Sequence, residues 1–308
     1  MPHLDARPGP LHPRAWSIGP GVLLCCVLLL VACAPRVDAS AAHVERPVSR
    51  PSPGWSAPAA TRPSERLFVG GQERSILARV PKGASAAPRD LVIAFHGRTN
   101  DAAQAQRYFD LDAALPAAII VYPRALPAGP GAFDWGAPGD PPEALRDFAL
   151  VLAIIDAFGG DHCIDLERVF VVGHSLGASF ANDVACHLGD RIRGVASVAG
   201  GLQGGPCVGR TAALILHHPD DHLVPVTAGE LARDAFKAIN DLVDVAAGQA
   251  GHTALAHLRC RRYGAADVAH PVVWCPHDDA SGPGGRYYPH TWPTGAARAI
   301  AAFFAGLP

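Results

Sequence analysis

Ser175 lies between two glycines in Gly173-His-Ser-Leu-Gly177, behind the apolar run Val169-Phe-Val-Val172 and ahead of the helical pattern Ala178–His187. Strand, tight turn and helix in that order lift a serine hydroxyl clear of a sheet edge, and the glycines let the backbone make the strained turn. The helix that opens at Leu176 aims its first free amides at whatever negative charge develops nearby. This is equipment for attack on an acyl carbon. A serine hydroxyl is a poor nucleophile at neutral pH, so it needs an imidazole base and an acid that orients the base.

In a fold of this order the acid follows the second strand after the nucleophile, and the base follows the last strand. Ala213-Leu-Ile-Leu216 runs into His217-His-Pro-Asp-Asp-His-Leu-Val-Pro225, where Asp220 and Asp221 both qualify by position. Val272-Val-Trp274 is followed by His277 and then by His290 in Tyr287-Tyr-Pro-His-Thr-Trp-Pro293. Both histidines are candidates, and the Pro- and Trp-bracketed setting of His290 is the more rigid. His252, His257 and His270 precede that strand and read as surface or packing residues. A second oxyanion donor besides the Leu176 amide belongs to the turn after the Leu91–Phe95 run, where Gly97 permits a tight bend and the Arg98 amide is the candidate. His96 reads as a support for that turn. The chemistry calls for no metal and no organic cofactor, and Cys-x-x-Cys spacing, the zinc signature, does not occur.

The elements that must hold these groups are legible as short apolar runs: 76–80, 91–95, 118–122, 169–172, 194–198, 213–216 and 272–274. Such runs suit strands buried on both faces of a mostly parallel sheet. Helical patterns separate them. Glu143–Phe158 places Leu145, Phe148, Ala149, Leu152 and Ile155 on one face, and Glu230–Ile239 and Ala296–Phe304 follow. The alternation predicts an α/β domain with ligands beyond the carboxyl ends of the strands. About fifteen residues join the runs ending at Val198 and starting at Ala213, too few for a cap domain. An uncapped cleft suits a large or polymer-linked substrate. The Gly/Pro-rich connection 124–142 carries Phe133, Asp134 and Trp135 and is expected to face substrate.

Three regions are expected. Residues 1–33 read as a signal peptide, with Arg7 and Arg14 ahead of an apolar core too short for a confident membrane span. Its end, Leu30-Val-Ala-Cys33, resembles a bacterial lipobox, so Cys33 is the expected lipid anchor of an exported, membrane-attached protein; an ordinary signal peptide is the alternative. Residues 34–66, rich in Pro, Ala, Ser and Arg, read as a disordered tether, and 67–308 as the catalytic domain. Export permits disulfides. Cys260 and Cys275 flank a short segment and are expected to pair. Cys163 and Cys186 are placed near the sheet end remote from Ser175 as a second pair, which leaves Cys207 alone. The net charge of −2, with signs interspersed, gives no surface for nucleic acid.

From about Phe68 onward the motifs Gly71-Gln-Glu-Arg-Ser75, Phe95-His-Gly-Arg-Thr-Asn100, Cys163-Ile-Asp165, Gly173–Gly177, Asp221-His-Leu-Val-Pro225 and His290-Thr-Trp-Pro293 resemble the polyhydroxybutyrate-depolymerase-like and feruloyl-esterase (carbohydrate esterase family 1-like) branch of the α/β-hydrolases. The resemblance implies an α/β-hydrolase fold and a serine carboxylic-ester hydrolase. It singles out Asp221, three residues before a Val-Pro pair, and His290, ahead of Trp-Pro. Tyr287-Tyr-Pro stands where glycines are more usual in that branch. Arg98-Thr-Asn100 and Phe133-Asp-Trp135 are closer to its feruloyl-esterase members, which implies aryl or carbohydrate-linked esters rather than crystalline polyester. Two other readings are a prolyl-oligopeptidase-type peptidase, which needs a gating domain, and a catalytically silent binding lipoprotein, whose mark is a lost triad member.

Overall fold

Six strands rich in Val, Ile, Leu and Ala stand side by side in parallel, and they form the centre of a nine-stranded sheet. The computed structural model describes residues 48–56, 65–83, 87–136, 146–204, 207–242 and 258–308. The expected signal peptide, the Cys33 anchor and most of the expected tether lie outside these residues.

In chain order the elements are β1 (Arg66–Val69), β2 (Gln72–Arg79), β3 (Arg89–Phe95), α1 (Ala102–Phe109), α2 (Leu111–Ala114), β4 (Ile119–Pro123), β5 (Leu126–Gly129), β6 (Ala132–Asp134), α3 (Arg146–Asp161), β7 (Ile164–His174), α4 (Leu176–His187), β8 (Gly194–Val198), β9 (Ala212–Leu216), α5 (Val226–Ile239), β10 (Arg261–Tyr263), β11 (Val272–Cys275) and α6 (Ala296–Ala305). The main sheet runs β1-β2-β4-β3-β7-β8-β9-β11-β10, and β5 with β6 forms a separate hairpin. The edge pairs β1–β2, β2–β4 and β10–β11 are antiparallel.

Strand alternation explains the layers. Leu91, Ile93, Val169, Val171, Ala213 and Ile215 point to the face covered by α3, α4 and α5. Val92, Ala94, Phe170, Val172, Leu214 and Leu216 point to the face covered by α1, α2 and α6. Because both faces are apolar, each run lacks the polar alternation of a half-exposed strand. This is the α/β arrangement expected from the runs.

Four expectations change. The strand expected from the run 76–80 starts four residues earlier, at Gln72, because Gly70 and Gly71, at φ 58° and 80°, form a two-residue hairpin turn that pairs Val69 with Gln72. Helix α3 buries Phe148, Val151, Ile154, Ile155 and Phe158, so its inward face is rotated from the one expected through Ala149 and Leu152. Residues 48–56, placed in the tether by composition, are docked on the start of β7. The Ser52 amide donates to the Ile164 carbonyl, and Ser52 Oγ donates to the His162 carbonyl at 2.8 Å.

The fourth change is a disulfide. Cys260–Cys275 pairs as expected, but Cys186 bonds Cys207, and Cys163 is free. The reason lies in the rise per residue. The eleven-residue β7 spans about 36 Å, whereas the twelve-residue α4 covers about 18 Å on the return. Cys186 therefore stops level with the middle of β7, well short of Cys163 at its start. There the 207–208 segment meets it, with the Val208 amide donating to the Cys186 carbonyl.

Candidate active site

Ser175 sits between β7 and α4 at φ 57°, ψ −126°, a strained conformation for a residue with a side chain. Both flanking glycines are required by close approach. A Cβ on Gly173 would lie 2.1 Å from the Gly177 carbonyl oxygen, and one on Gly177 would lie 2.2 Å from that of Phe95. The turn is held from outside by the Ser175 amide, which donates to the Val198 carbonyl at 2.9 Å.

Asp221 lies in the loop from β9 to α5 and His290 in the loop from β11 to α6. His290 Nε2 is 2.8 Å from Ser175 Oγ, and Nδ1 is 2.7 Å from Asp221 Oδ2. A carboxylate only accepts, so Nδ1 carries the proton and donates it. Nε2 then presents its lone pair to the serine hydroxyl, which donates. Asp221 Oδ1 accepts the Leu223 and Val224 amides at 2.9 and 3.0 Å. Burial pushes the Asp221 carboxyl up, but the His217 and His290 side chains and the Val224 amide outweigh it and hold it well below the usual carboxylate range. The acid is charged, fixed and dry.

Neither positional rival is hydrogen-bonded to Ser175 or His290. Asp220 Oδ2 accepts the Tyr287 hydroxyl at 3.0 Å. His277 is buried 5.6 Å, ring centre to ring centre, from His218. Burial, then the charge of His218, push its imidazole down to about 4.

The turn after β3 lies against the serine: a Cβ on Gly97 would be 3.3 Å from Ser175 Cβ. Among the described residues neither the Arg98 amide nor the Leu176 amide has a hydrogen-bond acceptor, and both residues line the cleft at Ser175. The carbonyls of this turn are all tied back. His96 Nδ1 is 2.8 Å from the Gly97 carbonyl and its Nε2 accepts the Ala125 amide at 3.1 Å, which makes Nδ1 the donor. Burial lowers the His96 pKa. The Gly97 carbonyl and the Arg98 N–H belong to one rigid peptide plane, so holding the first outward turns the second toward the cleft.

Phe133, Asp134 and Trp135 do not line that cleft, which corrects the expectation of a substrate-facing loop. They brace the turn instead. The Phe133 amide donates to the Arg98 carbonyl at 2.7 Å, and Trp135 Nε1 donates to the His96 carbonyl at 2.9 Å. Trp135 is buried and stacked on Phe180 of α4 at 5.1 Å. The hairpin β5–β6 turns back over the core, so its aromatic rings point inward.

The cleft holds about 950 Å³, and its walls include Asn100, Tyr108, His174, Leu223, Tyr288 and Trp292. His174 accompanies His290 at 5.2 Å between ring centres, with its Nδ1 2.8 Å from the Tyr108 hydroxyl. Burial, then the neighbouring His290, push the His174 imidazole down to about 3, so it brings no charge to the site at neutral pH. Trp292 stacks on Phe109 at 4.1 Å and fixes the loop that carries His290. The described part of the 199–211 connection contains no helix or strand, and so adds no cap. Spacing alone gave no role to His174, Tyr108 or His217. The position of His217, four residues before the acid at the end of β9, was the available signal.

No protein-family model matches the sequence. Over 157 residues the chain is 32% identical to NocK of Nocardia uniformis subsp. tsuyamanensis, a protein assigned as an esterase, covering 48% of this chain and 44% of that one. It is 31% identical over 167 residues to poly(3-hydroxyalkanoate) depolymerase C of Paucimonas lemoignei, covering 52% and 39%. An Aspergillus terreus protein assigned as feruloyl esterase C is 29% identical over 51% of this chain and 58% of its own length. The chain thus spans about half the length of these relatives. Among solved structures, esterase PE8 superposes with a TM-score of 0.54 at 16% identity over 76% of this chain and 99% of that one. The fold is that of the α/β-hydrolases, and the named relatives match the group that the motifs resemble.

Proposed function

We propose that this chain is a carboxylic-ester hydrolase in which Ser175 is the nucleophile, His290 the base and Asp221 the residue that orients it. The observation that carries the reading is His290 at hydrogen-bond distance from both Ser175 Oγ and Asp221 Oδ2. In the first half-reaction the serine oxygen bonds to the ester carbonyl carbon while its proton passes to His290 Nε2. The Leu176 and Arg98 amides donate to the resulting oxyanion. Collapse breaks the bond to the alkoxy oxygen, which leaves with the proton from Nε2. In the second half-reaction His290 takes a proton from water, the hydroxide bonds to the acyl carbon, and the serine oxygen departs reprotonated.

An open cleft walled by Tyr288, Trp292 and Asn100 supports an ester whose acid or alcohol part is aromatic or sugar-like and extends beyond the site. The lipobox-like end at Cys33 supports action outside the cytoplasm on a lipid tether. The alanine variant Ser175→Ala should fold and lose on the order of 10⁴-fold or more in kcat. Wild-type-like turnover of a panel of feruloyl, acetyl and hydroxybutyrate esters by that variant would remove Ser175 from the mechanism.

A further inference from the structure

His217 is the last residue before the acid loop, and nothing in the mechanism above uses it. Its side chain is fully buried. Nε2 lies 2.8 Å from the Val224 carbonyl oxygen and 3.5 Å from Asp221 Oδ2. Both neighbours only accept, so Nε2 carries a proton and donates it to Val224, with the N–H also facing the carboxylate. Nδ1 has no hydrogen-bond partner. It is packed against Gly229 of α5 so closely that a Cβ there would lie 2.4 Å from it.

These contacts close a ring. The Val224 carbonyl accepts from His217, the Val224 amide donates to Asp221 Oδ1, and Asp221 Oδ2 faces His217 again. The ring has two consequences. It fixes the plane of the carboxylate, because each oxygen has its own donors, Oδ1 the Leu223 and Val224 amides and Oδ2 His290 with His217 beside it. It also places a second N–H dipole beside the same Oδ2 that accepts from His290, so the negative charge of Asp221 is shared. From the structure we infer that His217 is a positioning residue for the Asp221–His290 pair, holding the carboxylate in register with the imidazole that serves Ser175.

This inference rests on the proposed esterase reading and adds a fourth side chain to it. Two alternative causes are weaker. His217 contributes to packing, with its ring 6.4 Å from Trp274, but packing alone would not require a polar ring whose second nitrogen is unpartnered. The other groups that face His290 are His174 from the end of β7 and Tyr288 from its own loop, and neither touches Asp221 Oδ2.

Two polar variants separate positioning from packing. In His217→Gln the amide nitrogen reaches the place of Nε2 and keeps a donor for Val224 and Asp221. In His217→Asn the amide reaches only the place of Nδ1 and leaves them without one. With p-nitrophenyl acetate as probe and the full chain as enzyme, His217→Gln should retain kcat within about threefold. His217→Asn should lose about tenfold or more with KM little changed, because alignment of the base matters most in the transition state. The acidic limb of the kcat/KM profile should move to higher pH in His217→Asn alone, by about half a unit, since an unshared carboxylate favours the imidazolium more strongly. Equal kcat in the two variants, or an acidic limb that stays in place or moves down in His217→Asn, would overturn the inference. Failure of the functional reading looks different: the wild-type chain then neither cleaves the probe nor is labelled at Ser175 by a fluorophosphonate.

Discussion

At the residue scale, the site works by engaging both oxygens of the acid and one nitrogen of the base. Asp221 Oδ1 is occupied by two amides and Oδ2 by His290, so His290 Nδ1 has one acceptor and Nε2 is free for the serine. His277 shows the opposite condition. It follows the last strand, as the base must, yet both of its ring nitrogens lack partners, so it can neither be oriented nor take a proton at low cost. Replacing it should therefore leave catalysis standing. His277→Leu is expected to keep kcat within about twofold and to gain stability at pH 5, because the wild-type imidazole, held at about 4 against about 6.5 in the unfolded chain, must stay neutral where the unfolded form takes up a proton. Turnover assays alongside urea unfolding at pH 5 and pH 8 check both points; loss of activity with the fold intact would make His277 a rival base once more.

At the element scale, the β5–β6 hairpin positions the oxyanion turn rather than the substrate. Trp135 and Phe133 hold the carbonyls of His96 and Arg98, and His96 holds that of Gly97 between them. Trp135→Phe can keep a ring stacked on Phe180 but removes the Nε1–H donor together with part of the buried indole. It should cost on the order of 2–3 kcal/mol of stability, from the lost hydrogen bond and the volume removed from the core. It should also lower kcat about tenfold with KM nearly unchanged, less than outright loss of an oxyanion donor. An unchanged kcat in this variant would separate the hairpin from catalysis. The sequence pattern marked these aromatic residues as belonging to a connection that faces substrate. It could not tell an inward ring from an outward one, because the reversal of the hairpin depends on where β6 meets β5 and on the buried Arg74–Asp147 ion pair beside the Gly136 amide.

At the scale of the whole molecule, buried ionisable groups set opposing trends in stability. His174, His270 and His277 are pushed down to about 3, 4 and 4, in each case first by burial. Stability is therefore lost as pH falls below about 6.5 and continues to fall toward 4, where the unfolded chain binds protons that the fold refuses. Asp183 of α4 runs the other way. Burial pushes its carboxyl up to about 7, although the Gln203 amide partly offsets the rise. It is protonated at no cost in acid, and its contribution becomes unfavourable as pH rises from about 4 through 7. Asp183→Asn should match the wild type at pH 4 and exceed it at pH 8, by on the order of 3 kcal/mol, in chemical denaturation. A gain of equal size at both pH values would assign the effect to packing.

The sequence by itself determined the layered α/β plan and the few candidates for the site. Runs buried on both faces have no polar alternation, and a serine between two glycines at the end of such a run, ahead of a helix, stands where a nucleophile must stand. Which aspartate and which histidine faced Ser175 was not open to spacing, since Asp220 and Asp221 are neighbours and His277 and His290 follow the same strand. The motif resemblance favoured Asp221 and His290, and the folded chain brings those two to the serine. Tertiary structure alone decided the Cys186–Cys207 link, the inward turn of Trp135 and the ring through His217. Each depends on lengths and approaches between segments far apart in the chain: a long strand against a shorter helix, a hairpin over the core, and a loop closed on its own carbonyl. Such distances are fixed only when the elements pack.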